Sequence, residues 1–288
     1  DHLIGAGGKR IRPMLTVAAA QLCGYEGDGH VRLAAAVEFI HNATLLHDDV
    51  VDESGRRRGK PTANRVFGNK PSVLVGDFLF ARAFQLMVET GELEVLRLLS
   101  NAAAVIVEGE VLQLAHEGDL SGGEDVYFRV IRGKTAALFE AAAESGAAIA
   151  HAEPEKATAL RVYGDALGVA FQIADDLLDY GGAEARTGKH VGSDFREGKA
   201  TLPVLYAYEA GTPDDRAFWE RVIVRREQGA GDLETALAKL KETGALGRAR
   251  DEADAVALRA RQALSVFPES PLRTAMTDII DFVVARAH

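Results

Sequence analysis

Apolar residues recur at spacings of three and four along nearly the whole chain, while strict alternation over several residues is scarce. That period predicts helices almost everywhere. The clearest case is Val31 to Val51, where Leu33, Val37, Ile40, Thr44 and Val51 fall near one stripe and Asp28 stands where an N-cap belongs. Further helices are predicted over 70–90, 94–116, 124–150, 155–180, 200–210, 214–228, 232–241, 244–266 and 271–286. Gly-Gly pairs at 7–8, 122–123 and 181–182, with Pro61, Pro154, Pro213 and Pro268, supply the breaks. Stretches 94–116 and 155–180 are apolar round most of their circumference, as the central helices of a large bundle are. No long polar linker and no solenoid repeat interrupts the pattern, so one all-α domain over residues 1–288 is expected.

Composition narrows the class of function. The 288 residues carry 33 Lys plus Arg against 43 Asp plus Glu, a net charge of −10. Such a surface repels phosphate backbones and gives no polybasic anchor for an anionic membrane, so no nucleic-acid partner is expected. At 47% hydrophobic and 26% charged residues, bulk disorder is excluded. Cys23 is the only cysteine, so no internal disulfide can form and a reducing compartment, the cytoplasm, is expected. Apolar runs are cut short by charge, as where Glu108 ends Ala102 to Val107, so no integral membrane segment is expected. The chain opens at Asp1 with neither a Met nor an apolar leader, so no signal peptide is expected and residues upstream are expected to be missing.

Two segments carry candidate chemistry. Leu45 to Asp52 places Asp48, Asp49 and Asp52 at i, i+1 and i+4. On a helix Asp48 and Asp52 share a face one turn apart, and Asp49 lies about 100° round. Gln172 to Asp179 repeats the spacing with Asp175, Asp176 and Asp179. With 43 acidic residues in 288, a triplet at fixed offsets arises about once by chance, so one alone reads as a solvated helix face. Both triplets, however, follow strongly apolar segments, 43–46 and 167–174, where carboxylates are costly without a partner. Close carboxylates repel unless a cation lies between them, and Mg²⁺, which takes hard oxygen ligands, is the natural one. Two triplets facing each other across a bundle would hold a metal cluster. A di-iron bundle would need Glu-x-x-His on each of two helices; Glu38-Phe39-Ile40-His41 supplies one and there is no second.

Enzymes that use Mg²⁺ commonly take phosphorylated substrates, so cations should accompany the carboxylates. Lys9, Arg10 and Arg12 stand in a Gly-rich helix entry, Arg56, Arg57, Arg58 and Lys60 follow the first triplet, and Lys189 and Lys199 follow the second. Singly, each reads as a solvated charge. Lys134 differs, because residues 133–139 give it mostly apolar neighbours, where an unpaired ammonium would be expensive. Gly133-Lys134-Thr135 is not a phosphate-binding P-loop: the first Gly of that motif would fall on Phe128, and no strand precedes it.

Taken together, these motifs resemble those of the trans-isoprenyl diphosphate synthases, and more narrowly the long-chain trans-polyprenyl type. The matching residues run from Gly7 to Pro203: Gly-Gly-Lys-Arg-x-Arg-Pro at 7–13, the first Asp-Asp-x-x-Asp with Arg-Arg-Gly-Lys-Pro-Thr at 57–62, Gly-Glu-Val-Leu-Gln-Leu at 109–114, Gly-Lys-Thr at 133–135, the second Asp-Asp-x-x-Asp, and Phe-Arg-Glu-Gly-Lys at 195–199. Beyond Pro203 only generic helices follow. The resemblance implies a single all-α bundle of the isoprenoid synthase type with a central apolar cavity, a homodimer, and a further helix ahead of Gly7. It implies that an allylic diphosphate is joined to isopentenyl diphosphate with release of pyrophosphate, with more than one Mg²⁺ per site.

By that similarity, Asp48, Asp52 and Asp175 would bind Mg²⁺ most directly, with Asp49 and Asp179 in support. Arg57, Lys134, Thr135, Gln172, Lys189 and Lys199 would hold the allylic diphosphate, and Lys9, Arg12, His41 and Arg58 the isopentenyl diphosphate. Asp48, Asp52, Lys134, Asp175 and Lys199 form the expected catalytic set. Helix arithmetic agrees for His41, which lies two turns below Asp48 and about 20° off the same face. A growing chain would run beside the helix of Asp48, meeting Ala43 and Thr44 first, then Ile40 and Val37. These side chains are small or aliphatic. The sixteen residues from Thr44 back to Asp28 make about 24 Å of helix, so an octaprenyl to decaprenyl product, of the kind used for quinone side chains, is expected. A farnesyl or geranylgeranyl product is the alternative if a bulky residue in 94–107 closes the tunnel. A catalytically silent subunit would be free to lose the triplets, and both are complete. A terpene cyclase has no use for a second diphosphate site, against which Gly-Gly-Lys-Arg and Arg58 argue.

Overall fold

Helix is nearly the only regular structure in the computed structural model, which describes residues 9–57, 59–181 and 192–286. In chain order the elements are α1 (Ile11–Leu22), α2 (Gly29–Val51), β1 (Arg56–Arg57), β2 (Lys60–Pro61), α3 (Ala63–Phe67), α4 (Asn69–Glu89), α5 (Leu93–Ala115) and α6 (Gly123–Ile131). A π-turn (Arg132–Ala136) leads into α7 (Ala137–Ile149), followed by α8 (Pro154–Gly181), α9 (Ser193–Arg196), α10 (Leu202–Ala210) and α11 (Pro213–Trp219). A second π-turn (Glu220–Val224) precedes α12 (Asp232–Glu242), and α13 (Ala245–Ala263) closes in a 3₁₀ turn (Leu264–Val266) before α14 (Pro271–Ala285).

The apolar period locates these helices closely, and the departures have local causes. The helix predicted over 124–150 is broken by the first π-turn, and that over 214–228 passes into the second and ends at Val224. One extra residue in a turn leaves the apolar period almost untouched, so periodicity does not register it. Asp28 does occupy the N-cap position of α2, but its carboxylate takes the Arg32 guanidinium at 3.0 and 3.3 Å and caps no backbone N–H. The β1–β2 hairpin pairs Arg56 with Pro61 and Arg57 with Lys60. Its turn carries Gly59 at φ 77°, the left-handed region that glycine enters without steric cost.

Clustering of the backbone divides the chain into two compact units. The first comprises Asp1–Ala104, Leu138–Gly164 and Ala263–Met276. Within it α1 and α4 both pack against α2, and α3 against α4. Leu15, Leu33, Val37, Ile40, Leu46, Met87 and Phe139 are fully buried there, and the buried Tyr163 hydroxyl donates to the Met276 carbonyl at 2.8 Å. The second unit comprises Val105–Ala137, Asp165–Gln262 and Thr277–His288. Here α10 packs against α6, α11 and α12 over a core that includes Phe195, Leu202, Trp219 and Leu240.

One helix is a weak signal against the expectation of no integral membrane segment and does not overturn it. Among the described helices, α4 is long and apolar enough to cross a membrane, with mean hydropathy 1.3, and only 22% of that window is buried inside the chain. A search for unbroken apolar runs misses it because Asp77 and Arg82 interrupt the helix. Leu74, Phe78 and Val88 stand exposed along it.

Candidate functional site

The first triplet closes α2. Asp48 is half-buried, Asp49 is buried, and Asp52 is exposed at the C-cap, its N–H still bonded to the Asp48 carbonyl at 2.8 Å. The hairpin folds back onto this end. Asp49 Oδ1 accepts from Arg57 Nε at 2.9 Å and meets its terminal nitrogen at 2.8 Å, and Asn64 donates to the Asp49 carbonyl at 2.9 Å. The buried middle carboxylate therefore has its countercharge within the chain, while Asp48 and Asp52, one turn apart, are the more open pair. Arg57 retains donors beyond those used, since a guanidinium carries five.

Further down α2, His41 Nε2 lies 3.4 Å from an Arg12 terminal nitrogen. The Arg12 guanidinium sits 4.2 Å over the Phe139 ring, and its Nε is buried with no hydrogen-bond partner. Burial pulls Arg12 down to about 10, which leaves it charged at neutral pH. A held cation with an unused donor is matched by an anion. Arg10 pairs with Glu38, so both residues of the Glu-x-x-His half-motif face cations from the start of α1. Lys9 is exposed at the first described position. Ala43, Ile40 and Val37 are fully buried, whereas Thr44 is half-buried and its hydroxyl donates to the His41 carbonyl at 2.9 Å.

The second triplet lies on α8 with a different surround. Asp176 is buried, accepting from the Tyr127 hydroxyl at 2.7 Å and from the Gln172 amide at 2.8 Å. Burial and then the Asp194 charge push its carboxyl up to about 8, against the pull of those two donors. Asp179 is also buried, and its oxygens accept from the backbone N–H groups of Ser193 at 3.1 Å and Asp194 at 2.8 Å, tying α8 to α9. Asp175 is the more open member, with Arg286 at 3.2 Å.

The π-turn sets Lys134 and Thr135 between α5 and α8. A Cβ on Gly109 would lie 2.6 Å from the Lys134 nitrogen, and one on Gly133 would lie 2.9 Å from the Gly109 Cα, so the two backbones touch and glycine is required on both sides. Lys134, expected among mostly apolar neighbours, instead donates to Glu110 Oε2 at 2.9 Å, while Glu110 Oε1 is buried without a partner. The Thr135 hydroxyl donates to the Gln172 amide oxygen at 2.9 Å. Lys199 meets Glu197 at 2.6 Å and Asp194 at 3.4 Å. Burial would lower its pKa, but those carboxylates outweigh it and raise it. Arg58 and Lys189 lie outside the described residues.

Sequence reasoning quoted Glu110 within the motif at 109–114 without giving it a role, and missed Tyr127, Asp194 and Arg286. Glu110 had a signal, a carboxylate in an apolar helix at the same kind of position as Lys134; the other three have no spacing that marks them. Among the described residues no three His, Cys, Asp or Glu side chains form a ready cage for a metal. What they offer is pairs of hard carboxylate oxygens. That suits Mg²⁺, which keeps waters and binds through one or two carboxylates plus substrate phosphates.

Residues 1–240 match the family described as Polyprenyl synthetase. The chain is 50% identical over 285 residues to octaprenyl diphosphate synthase of Escherichia coli K12, covering 99% of this chain and 88% of that one. It is similar in structure to a decaprenyl diphosphate synthase from Rhodobacter capsulatus, with TM-score 0.96 and 58% identity over 100% of this chain and 88% of that one. It is also similar to a polyprenyl synthase from Caulobacter crescentus CB15 complexed with calcium and isoprenyl diphosphate, with TM-score 0.94, 54% identity and the same coverage.

Proposed function

This chain belongs to the polyprenyl synthetase family, and from that premise we propose that it condenses isopentenyl diphosphate repeatedly onto an allylic diphosphate, with Mg²⁺, to a long all-trans polyprenyl diphosphate. Asp48, Asp52 and Asp175 would hold the metal most directly, with Asp49 and Asp179 in support. Bound Mg²⁺ neutralises charge on the departing diphosphate. Arg57, Lys134, Gln172, Lys189 and Lys199 bind the allylic diphosphate and stabilise the same charge as its carbon–oxygen bond breaks. Lys9, Arg12, His41 and Arg58 bind isopentenyl diphosphate. The reading favours the cytoplasm, where the single thiol Cys23 stays reduced.

The observation that carries the proposal is Arg12: a cation packed on Phe139, beside His41, on the side of the helix that bears Asp48, with a buried donor unused. An enzyme with one diphosphate substrate has no need of it. The similarity to octaprenyl and decaprenyl synthases at 50% and 58% identity supports a product of eight to ten isoprene units. That the Caulobacter structure is a complex with calcium and isoprenyl diphosphate supports the use of a divalent ion. The exposed Leu74, Phe78 and Val88 of α4 supply the apolar face that a second copy would cover in a homodimer. Incubation with labelled isopentenyl diphosphate and an allylic primer is the test. Label should appear in octaprenyl to decaprenyl diphosphate, and label in no chain longer than the primer refutes the reading. Sedimentation should give twice the 30.8 kDa of the chain.

A further inference from the structure

One run of buried hydrogen bonds in the second unit links Gln172, placed above on the allylic diphosphate, to Tyr127, Asp176 and Thr135, which have no step there. Tyr127 on α6 donates to Asp176 Oδ2, Gln172 on α8 donates through its amide nitrogen to Asp176 Oδ1, and Thr135 in the π-turn donates to the Gln172 amide oxygen, at 2.7, 2.8 and 2.9 Å. Tyr127, Asp176 and Thr135 are all buried. The run has a direction. Tyr127 and Gln172 both donate to Asp176, and the Gln172 amide presents its oxygen to Thr135. Thr135 has a single hydroxyl proton and spends it on Gln172, which leaves its oxygen with lone pairs only. A diphosphate oxygen is itself an acceptor, so Thr135 in this state has nothing to give it. The resemblance placed Thr135 among the diphosphate ligands; its hydrogen bond argues otherwise.

We propose that Tyr127 and Asp176 are positioning residues of the prenyl-transfer reaction, acting through Gln172 to hold Thr135 as a hydrogen-bond acceptor rather than a diphosphate ligand. This rests on the function proposed above. Removing the Tyr127 hydroxyl leaves Asp176 Oδ2 a buried acceptor without that donor. The carboxyl then turns to recover a partner, Gln172 loses its fixed anchor, and the Thr135 proton is free to point elsewhere.

The test is a double-mutant cycle on the full chain with Mg²⁺, an allylic diphosphate and labelled isopentenyl diphosphate. Tyr127→Phe should lower kcat about tenfold while KM for the allylic diphosphate, and the Kd of an unreactive thiolo analogue, stay within about twofold. Thr135→Ser, which keeps the hydroxyl, should stay within about threefold, and Thr135→Val should lose at least as much as Tyr127→Phe. The double variant should be no slower than Thr135→Val alone, because both changes remove one function. Losses that multiply, a full kcat in Tyr127→Phe, or a loss confined to KM overturn the inference. If Tyr127→Phe is not folded by circular dichroism, Asp176→Leu, which removes the acceptor of both donors, takes its place in the cycle under the same criterion. A wild-type chain that makes no prenyl product overturns the function and this inference together; wild-type turnover with multiplying losses overturns the inference alone.

Discussion

The two acidic triplets have the same spacing and nearly opposite surroundings. On α2 the middle carboxylate is held by a cation, Arg57, and the last one stands exposed at the helix end. On α8 the middle carboxylate is held by neutral donors, Tyr127 and Gln172, and the last is buried against the first turn of α9. Only the first member of each triplet, Asp48 or Asp175, is half-buried in both settings. Sequence spacing alone makes the three positions of a triplet look alike, whereas the packed neighbours divide them into open carboxylates and structural ones. The division implies that substitutions at matching positions differ in kind as well as in size.

The largest difference should separate the first member from the second. Asp48→Ala should lower turnover about a hundredfold or more with the helical spectrum unchanged, consistent with loss of a charge contact made in the transition state. Asp175→Ala should behave similarly. Purified Asp48→Ala that turns over at near the wild-type rate would remove Asp48 from the site. Chelation is the companion experiment. It should abolish turnover while leaving circular dichroism unchanged, because the buried Asp49, Asp176 and Asp179 are partnered by the protein itself. Unfolding on chelation would mean that metal holds the triplets together and would erase the contrast drawn here.

How much of this was legible beforehand follows from what each feature rests on. Helices were legible because apolar period is local: α2, α4, α5, α8 and α14 fall within two residues of their predicted bounds. The triplets were legible because i, i+1, i+4 is a local relation too. The partners were not. Glu110 reaches Lys134 across 24 positions, Tyr127 reaches Asp176 across 49, and Arg286 reaches Asp175 across 111. Nothing in a window around any of these residues encodes the contact. The hairpin was invisible for another reason, since strands of two residues carry no period.

A smaller effect concerns α2 below its triplet, a feature proposed for α2 and not for α8. If the growing chain runs beside α2, a ring at the right level should shorten the product. Ala43 is fully buried, so Ala43→Phe overpacks the core and should cost about 1–3 kcal/mol as well as changing product length. Thr44 is half-buried and its hydroxyl is bonded only locally, to the His41 carbonyl. Thr44→Phe should therefore shift the product to a short chain with less loss of stability. Chromatography of labelled products from the two variants decides it. Wild-type length from both would place the tunnel away from this face of α2.

The smallest effect is in stability, and it has opposite signs at the two middle carboxylates. Asp49→Asn removes the anion that Arg57 meets at two nitrogens. Arg57 is about a third exposed, so water takes over part of the lost contact, and the cost should be about 1 kcal/mol rather than that of a buried pair. Asp176→Asn differs because burial already opposes charge there and holds the carboxyl up to about 8. A carboxyl raised this way stabilises the fold while neutral. That contribution is complete below the unfolded value near 4 and is lost as pH rises through about 8, because the native state binds the extra proton in between. Asparagine has no charge to bury, and it still offers an oxygen to Gln172 and an amide to the Tyr127 oxygen. In chelator, Asp176→Asn and wild type should melt close together at pH 5, with the variant the more stable at pH 9. Asp49→Asn should melt below wild type at both. If Asp176→Asn instead loses as much as Asp49→Asn at pH 9, the two middle carboxylates are held in the same way after all.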